Sequence, residues 1–481
     1  MSRTNDIIVI GAGTVGLMAG IFGSRAGGHV LVLEATNQIG GTLHMSSGRM
    51  SAAGTKLQAA KGIEDSVQDH YDDVMRICHN AADPDIVRLA VEHGATTFDW
   101  LTDNGLPLVP QSPTFHAGSH EPYLKKRYSW CPEFGKSIIR VLAPHFYGEI
   151  AAGGVTLKLS TTAVELLQDP KTHAVTGVRA RNRDGEMVDY HGRHVLIATG
   201  GYGASARMVA ELHGMPLYNV GAPLHADGSG IRLGMQAGGT VRGTEHFPIN
   251  FGVVLDDQDY PSETIGRAQT SPEERQPWEI YVDTYGHRFV AEDEPSIDAR
   301  EVALLKVQDQ RFWIVFDQAI LDQAPPVMLG WSRDQVTRAL GSHPMFLKAD
   351  TLADLARQAG IPPQTLDKTV AAYNSNLAGT DPLGRKHRPA PIAKGPFYAI
   401  RQHATIIVTS AGLAVDGELR VLDRHDKPIP NLYAAGEALG SVATMGHAHV
   451  NGMMVTPALT FGRLLGERLV RQPQRQRAAA E

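Results

Sequence analysis

The chain has 481 residues, 42% of them hydrophobic and 20% charged, enough apolar material for a sizeable buried core and too mixed for a disordered polymer. Lys plus Arg number 45 against 51 acidic residues, a formal net charge of -6 with no long basic run, which argues against nucleic acid or an anionic membrane surface as partner and for a small molecule. Two cysteines, Cys78 and Cys131, are too few for a disulfide framework or a cysteine-rich metal site, and 50 glycines point to many tight turns and close backbone approaches.

The first element is uncharged from Ile7 to Ser24, but Asp6 abuts it, no small-residue cleavage site follows, and Gly11, Gly13, Gly16, Gly20 and Gly23 interrupt it. It reads as strand, turn and helix rather than as a signal peptide or membrane span, and with no other long apolar run the expected location is the cytoplasm. Ile7-Ile8-Val9-Ile10 is a run of the kind buried on both faces of a parallel sheet. Gly11-Ala12-Gly13-Thr14-Val15-Gly16 follows, then Leu17, Met18, Ile21 and Phe22 at helical spacing until Gly27-Gly28, then a strand Val30-Leu31-Val32-Leu33 ending in Glu34. In such a unit Gly11 permits the tight turn, Gly13 lets the backbone approach a pyrophosphate at the helix N-terminus, and Gly16 brings helix against strand. Glu34 is placed to accept from both ribose hydroxyls and to repel a 2′-phosphate, which disfavours NADP; NAD and FAD both remain open on this unit alone.

Further along, a helix is expected from Lys136 to Leu142, and Val195-Leu196-Ile197 is a strand entering the turn Ala198-Thr199-Gly200-Gly201. The middle of the chain has a hairpin from Trp278 to Val290 turning at Gly286, a strand Phe312 to Phe316, and helices around Leu352 to Ala359 and Gln364 to Tyr373. Pro362-Pro363 and the run from Asp381 to Pro396 read as linker. In the last helix Thr456 is the expected N-cap, Pro457 the first helical residue, and Leu459, Phe461, Leu464, Leu465 and Leu469 the apolar face; from Arg471 to Glu481 a frayed tail is expected. No internal repeat is visible.

Glu34 followed after five residues by Gly40-Gly41 resembles the continuation found in two-dinucleotide-fold flavoproteins. Thr42 to Ala53 resembles the flavin-contacting loop of the fumarate reductase/succinate dehydrogenase flavoprotein and 3-ketosteroid Δ1-dehydrogenase family. Ala198 to Gly201, Ala226 to Arg232, Gly286 to Glu292, Gly395 to Ala399, Asn431 to Glu437 and Thr460 to Arg463 are similar to further motifs of that family in the same order. The resemblance implies an α/β fold: a Rossmann-like two-dinucleotide-binding FAD domain, split into residues 1–245 and 404–481, with an inserted α+β cap domain at 246–403 and a substrate cleft between them. It also implies that the last helix aims its positive end at the flavin. Motif and resemblance together assign cofactor contacts to Gly11, Gly13, Thr14, Val15, Gly16, Glu34 and Ala35; to Gly40, Gly41, Thr42, Ser46, Ser47, Gly48 and Met50; to Ala163, Val164, Ala198, Thr199, Gly200 and Asp227; and to Gly436, Glu437, Met453, Met454 and Val455.

Desaturation beside a carbonyl needs a hydride acceptor for Cβ, a base for the Cα proton and donors for the enolate oxygen; ene reduction needs an acid in place of the base. Against the family's pattern the histidine of its carboxylate-binding run is missing from Val408 to Gly412, one arginine falls on His449 and another on Ser296, which makes a dicarboxylate substrate unfavourable. Met445-Gly446-His447-Ala448-His449-Val450-Asn451-Gly452 is similar to the ketone-binding run of the steroid branch, with His449 in place of its tyrosine, so His447, His449 and the amide of Gly452 or Met453 are the expected ketone-oxygen partners. The family base position holds Ser296, so substitutes are sought in His120, Tyr123, Tyr128, His246 and Asp298, with Tyr123 and Tyr128 the preferred pair. The relatives' covalent-flavin histidine aligns with Leu43 and not with His44, which implies non-covalent FAD. His447 and His449 lack a third ligand, so no metal is expected. The expected activity is an FAD-dependent dehydrogenase that desaturates an alicyclic or steroid-like ketone and passes electrons to an external acceptor. Alternatives are an ene reductase whose electron donor is separate, since the chain has no haem-attachment CxxCH, and a flavin-bound binding protein without turnover.

Overall fold

The apolar run at the amino terminus forms the strand Asn5–Ile10, with Ile7, Ile8 and Val9 fully buried. The structure, a computed structural model, describes residues 5–116, 120–214, 218–219, 222–245, 249–258, 262–406 and 408–471. His246 and the expected tail after Arg471 lie outside the described residues.

Asn5–Ile10 is the centre of a parallel sheet, with Val30–Leu33 on one side and the end of the long strand Met187–Ile197 on the other. Val155–Lys158 extends the sheet beyond Val30–Leu33, and Pro428–Ala434 extends it beyond Met187–Ile197. The first half of Met187–Ile197 pairs antiparallel with Val175–Arg181, which pairs with Thr162–Gln168. Because one strand serves both pairings, the parallel core and the antiparallel meander form one continuous sheet. The helices Thr14–Arg25 and Val455–Arg471 pack against each other, and glycine permits the approach: a Cβ on Gly462 would stand 2.5 Å from the Val15 carbonyl oxygen, and one on Gly466 2.7 Å from that of Ala19.

A second sheet is built mainly from residues between 249 and 406. Its strand order is Thr264–Gly266, Ile249–Leu255, Phe397–Ile406, Arg311–Asp317 and Ile280–Val282, with Phe346–Ala349 and Tyr218–Asn219 also pairing with Phe397–Ile406. Its central strand therefore runs across the expected boundary at 403/404, and Tyr218–Asn219 reaches it from the amino-terminal segment. The expected Gly286 turn forms, with φ +89, but its return arm is reduced to a single bridge between Val282 and Arg288, and Ile280–Val282 pairs as a strand with Arg311–Asp317. Pro363, expected in a linker, opens the helix Pro363–Ser375, where its missing N–H costs nothing. The helix at Lys136 is longer than expected, Gly135–Ala151. Among the described residues no helix is long and apolar enough to cross a membrane.

Histidines buried in these sheets make stability pH-dependent. Burial, reinforced by Arg193, pushes His194 down to about 4, and burial, reinforced by Arg401 and Arg311, pushes His403 down to about 3. An unfolded imidazole takes up its proton near pH 6.5, so each depressed value adds stability that is present above that pH and lost as the pH falls. Going from about pH 7 to about pH 5 is expected to cost roughly 4 kcal/mol between the two. Urea unfolding at both pH values measures this, and His403→Gln should remove about half of the two residues' share of the difference; an equal midpoint for the wild type at the two pH values would contradict it.

Candidate active site

The glycine turn after Asn5–Ile10 opens into a cleft of about 1480 Å³, mouth included. Gly11 has φ +105, and a Cβ there would lie 2.5 Å from the Ala198 carbonyl oxygen. At Gly16 a Cβ would lie 1.9 Å from the Gly11 carbonyl oxygen, so both glycines hold turn, helix and strand together as expected. At Gly13 a Cβ would meet nothing within 4 Å: the protein leaves open space where a pyrophosphate would approach the helix N-terminus. Glu34 stands at the tip of Val30–Leu33, its two oxygens accepting 2.8 Å bonds from the N–H groups of Ala12 and Thr36. Each oxygen keeps a further lone pair for a ribose hydroxyl. The Thr199 hydroxyl, buried on the cleft wall, has no hydrogen-bond partner in the protein. Open cradle, anionic strand tip and orphan hydroxyl together fit a dinucleotide such as FAD.

Of the expected cofactor contacts, Gly11, Gly13, Thr14, Val15, Glu34, Ala35, Gly41, Thr42, Ser46, Ala163, Ala198, Thr199, Gly200, Gly436, Glu437, Met454 and Val455 line this cleft. The others stand behind it. Gly40 adopts φ +107 and caps the short Gly41–His44 turn, and Ser47 is exposed. Gly48 packs on the Phe134–Gly135 backbone, and Met50 pairs with Ser129. Val164 lies in its strand one residue past Ala163. Asp227 accepts the Ser229 N–H at the start of Ser229–Gln236, so its neighbours Ala226 and Ser229 form the wall instead. Met453 is buried, its N–H donated to the Val450 carbonyl, which leaves the Gly452 amide as the remaining donor of that pair. Leu43 and His44 both line the cleft, and the His44 Nε2 lies 2.9 Å from the Ile39 carbonyl oxygen. Glu437 accepts from both the N–H and the hydroxyl of Thr409, tying the Gly436 turn to the strand end opposite. Sequence reasoning overlooked Thr36, Gln38 and Thr161, which carry no motif of their own.

Next to the flavin-loop and Met454 sides of the cleft, a second group of polar side chains converges. The Arg127 guanidinium, fully buried, bonds Asp65 and Asp73 on both of its faces and fixes the 120–130 segment to the helix Val67–Ile77. The Tyr123 hydroxyl donates to the Asn451 carbonyl and accepts from the Ser51 hydroxyl. That link brings His120, three residues earlier, against His449, two residues before Asn451: their rings lie 4.2 Å apart and 33° from parallel. From the second-sheet side, Asp298 Oδ1 lies 3.5 Å from His120 Nδ1. Arg49 lies over the rings of Tyr128 and Trp130 and donates 3.0 Å to the Tyr128 hydroxyl. Sealed from solvent and lacking hydrogen-bond partners are His120 Nδ1, His449 Nδ1, Asp298 Oδ1, Arg49 Nε, Ser129 Oγ and both side-chain polar atoms of Asn451. So many orphan polar atoms in one place are the mark of a site completed by a ligand.

The preferred pair Tyr123 and Tyr128 stands differently from the expectation. Both are buried, burial lifts both phenols above their ordinary range, and both hydroxyls are committed, to Asn451 and Ser51 and to Arg49. Their geometry is that of tethers. Ser296 is the N-cap of Ile297–Leu305, its hydroxyl accepting the Ala299 N–H. Thr456 is inside the last helix, which starts at Val455, and its hydroxyl accepts the Ser51 N–H at 3.0 Å instead of capping. His447 is exposed, whereas His449 is held well below its ordinary value by burial and by the positive fields of His120 and Arg49. Arg49 and Asn451 were not foreseen; the signal for Arg49 was a lone cation in an otherwise uncharged loop.

Residues 6–452 match the family described as FAD binding domain. The chain is 28% identical over 472 residues to a probable fumarate reductase, Ifc3, of Shewanella frigidimarina, covering 97% of this chain and 75% of that one. It is 25% identical over 555 residues to a 4-oxocyclohexanecarboxylate 2-dehydrogenase of Sinomonas cyclohexanicum, covering 98% and 93%. Its fold is similar to that of a 3-ketosteroid Δ1-dehydrogenase from Sterolibacterium denitrificans, with a TM-score of 0.72, 21% identity and coverage of 98% and 100%.

Proposed function

The chain belongs to the FAD binding domain family, and from that premise we propose that it is an FAD-dependent oxidoreductase acting on the carbon–carbon bond beside a carbonyl of an alicyclic or steroid-like ketone. The observation that carries this reading is the polar group formed by His449, His120, Asp298 and Arg49, assembled beside the cleft from four distant stretches of chain. FAD, bound non-covalently in the cleft, supplies the two-electron acceptor or donor. The split FAD domain carries the cleft, and the inserted cap, whose sheet runs on to Ile406, brings Asp298 to the site. His449, neutral at physiological pH, donates a ring N–H to the carbonyl oxygen together with the Gly452 amide, an arrangement that favours the enolate. The contact of His44 Nε2 with the Ile39 carbonyl supports the non-covalent reading. Electrons reach or leave the cofactor through a partner outside the chain.

Ene reduction is the second reading, supported by the Arg49 guanidinium, which with its Nε unpartnered suits an unsaturated substrate that also bears an acid. Anaerobic mixing separates the two. Oxidised protein should be bleached by 4-oxocyclohexanecarboxylate or a saturated 3-ketosteroid if desaturation is the working direction. Photoreduced protein reoxidised by the matching enones, with no bleaching by the saturated ketones, would establish the reductase reading instead, and silence toward both sets would reject the proposed activity.

A further inference from the structure

We infer that His120 exchanges the proton on the carbon next to the substrate carbonyl and that Asp298 is the residue that positions it, an inference that rests on the activity proposed above. The expected base position, Ser296, is used up as a helix cap, and the helix it starts presents Asp298 in its first turn, 3.5 Å from His120 Nδ1. Both atoms are sealed from solvent and neither has a hydrogen-bond partner, so the pair has nothing else to serve. At 3.5 Å the contact is within ion-pair reach and longer than a formed hydrogen bond; acid–base contacts of this kind shorten when substrate closes the site. A carboxylate facing Nδ1 selects the Nδ1–H tautomer and leaves the lone pair on Nε2.

The neighbours agree with that division of labour. The His449 ring stacked 4.2 Å away is kept neutral by burial and by the field of Arg49, and by that of His120 once it carries the proton, so it does not compete for the proton. Glu301, three residues after Asp298, is buried, its carboxyl pushed well above the ordinary carboxylate range first by desolvation and then by the field of Asp298, and Arg300 gives one of its nitrogens to the Thr270 carbonyl. The Tyr123 hydroxyl is spent on the Asn451 carbonyl, and the Tyr128 oxygen accepts from Arg49. The step itself balances without an added reagent. The Cα–H bond breaks, its electron pair passes into the enolate, the proton moves to His120 Nε2 to give the imidazolium, and in the reverse direction the same proton returns to Cα.

Two measurements on the FAD-loaded protein test this. Nitrogen-15 spectra of the ring nitrogens, with His120 assigned by its loss in His120→Gln, should show the Nδ1–H form in the wild type at alkaline pH, a shift toward Nε2–H in Asp298→Asn, and recovery in Asp298→Glu. With 4-oxocyclohexanecarboxylate as probe, His120→Gln should slow anaerobic bleaching by about 100-fold, the scale of a lost acid–base group, with KM within about threefold. Asp298→Asn should slow it about 10-fold, with partial rescue by Asp298→Glu. A wild-type Nε2–H tautomer, or one unmoved by Asp298→Asn, overturns the pairing; bleaching within about threefold of wild type in His120→Gln overturns the acid–base assignment. If the wild type turns over neither ketones nor enones, the proposed activity fails and the proton assignment falls with it, while the tautomer spectra decide separately whether Asp298 positions His120.

Discussion

Gly13→Val is expected to give a folded protein without its yellow colour. Gly13 has φ -80, a conformation open to any L residue, and a Cβ there meets no protein atom within 4 Å. The substitution therefore costs the apoprotein little, yet it fills the space at the helix N-terminus where the cofactor's pyrophosphate must lie against the backbone. FAD affinity should fall by about 100-fold or more, equivalent to roughly 2.7 kcal/mol, read by flavin absorbance of the purified protein and by titration with added FAD. The unfolding midpoint should stay near that of the wild-type apoprotein. Gly16→Val is the contrasting variant: its side chain would collide with the Gly11 carbonyl at 1.9 Å, so it should lose fold and cofactor together. A Gly13→Val protein that purifies yellow and binds FAD as the wild type does would mean that the cofactor does not occupy this turn.

The amino-terminal unit was legible in the sequence because each of its requirements is local. A buried strand, a positive-φ glycine, a helix start and an acidic strand tip all fall within residues 5–34, and backbone sterics fix which residue types can serve. The flavin loop and the Gly436 turn could be placed only through resemblance, because they meet the first turn from distant parts of the chain. What the sequence left hidden was the commitment of individual side chains. Tyr123 looked like a base because it is a tyrosine near a cleft, but Arg127 and the Asp65 and Asp73 carboxylates draw its segment inward until its hydroxyl meets the Asn451 carbonyl. Thr456 has the chemistry of a cap and the position for one, yet a tertiary acceptor demand from the Ser51 N–H wins. His120 and Asp298 are 178 positions apart, and nothing local to either announces the other. Such pairings depend on how the two sheets meet, a property that no window of sequence contains.

His449→Leu should lower the rate of flavin bleaching by carbonyl probes by about 100-fold, the effect of removing one preorganised donor to a developing oxyanion. The neutral ring matters here. Burial, with His120 and Arg49 adding positive field, holds His449 well below its ordinary value, so it stays an N–H donor with no charge change as the pH rises from about 6 to 8 and contributes no limb to the rate profile in that range. KM should change less than about threefold, since the donor acts on charge that appears only along the reaction, and His449→Gln should restore part of the rate through its amide N–H. A second readout separates chemistry from packing. A histidine whose value is depressed on folding supports stability above about pH 6.5 and withdraws that support as the pH falls, because the unfolded chain takes up the proton first. Removing it should leave His449→Leu less sensitive to acid than the wild type when unfolding midpoints at about pH 7 and about pH 5 are compared. A variant that keeps the wild-type rate while showing that gain in acid tolerance would assign His449 to the buried wall of the site and take the oxyanion away from it.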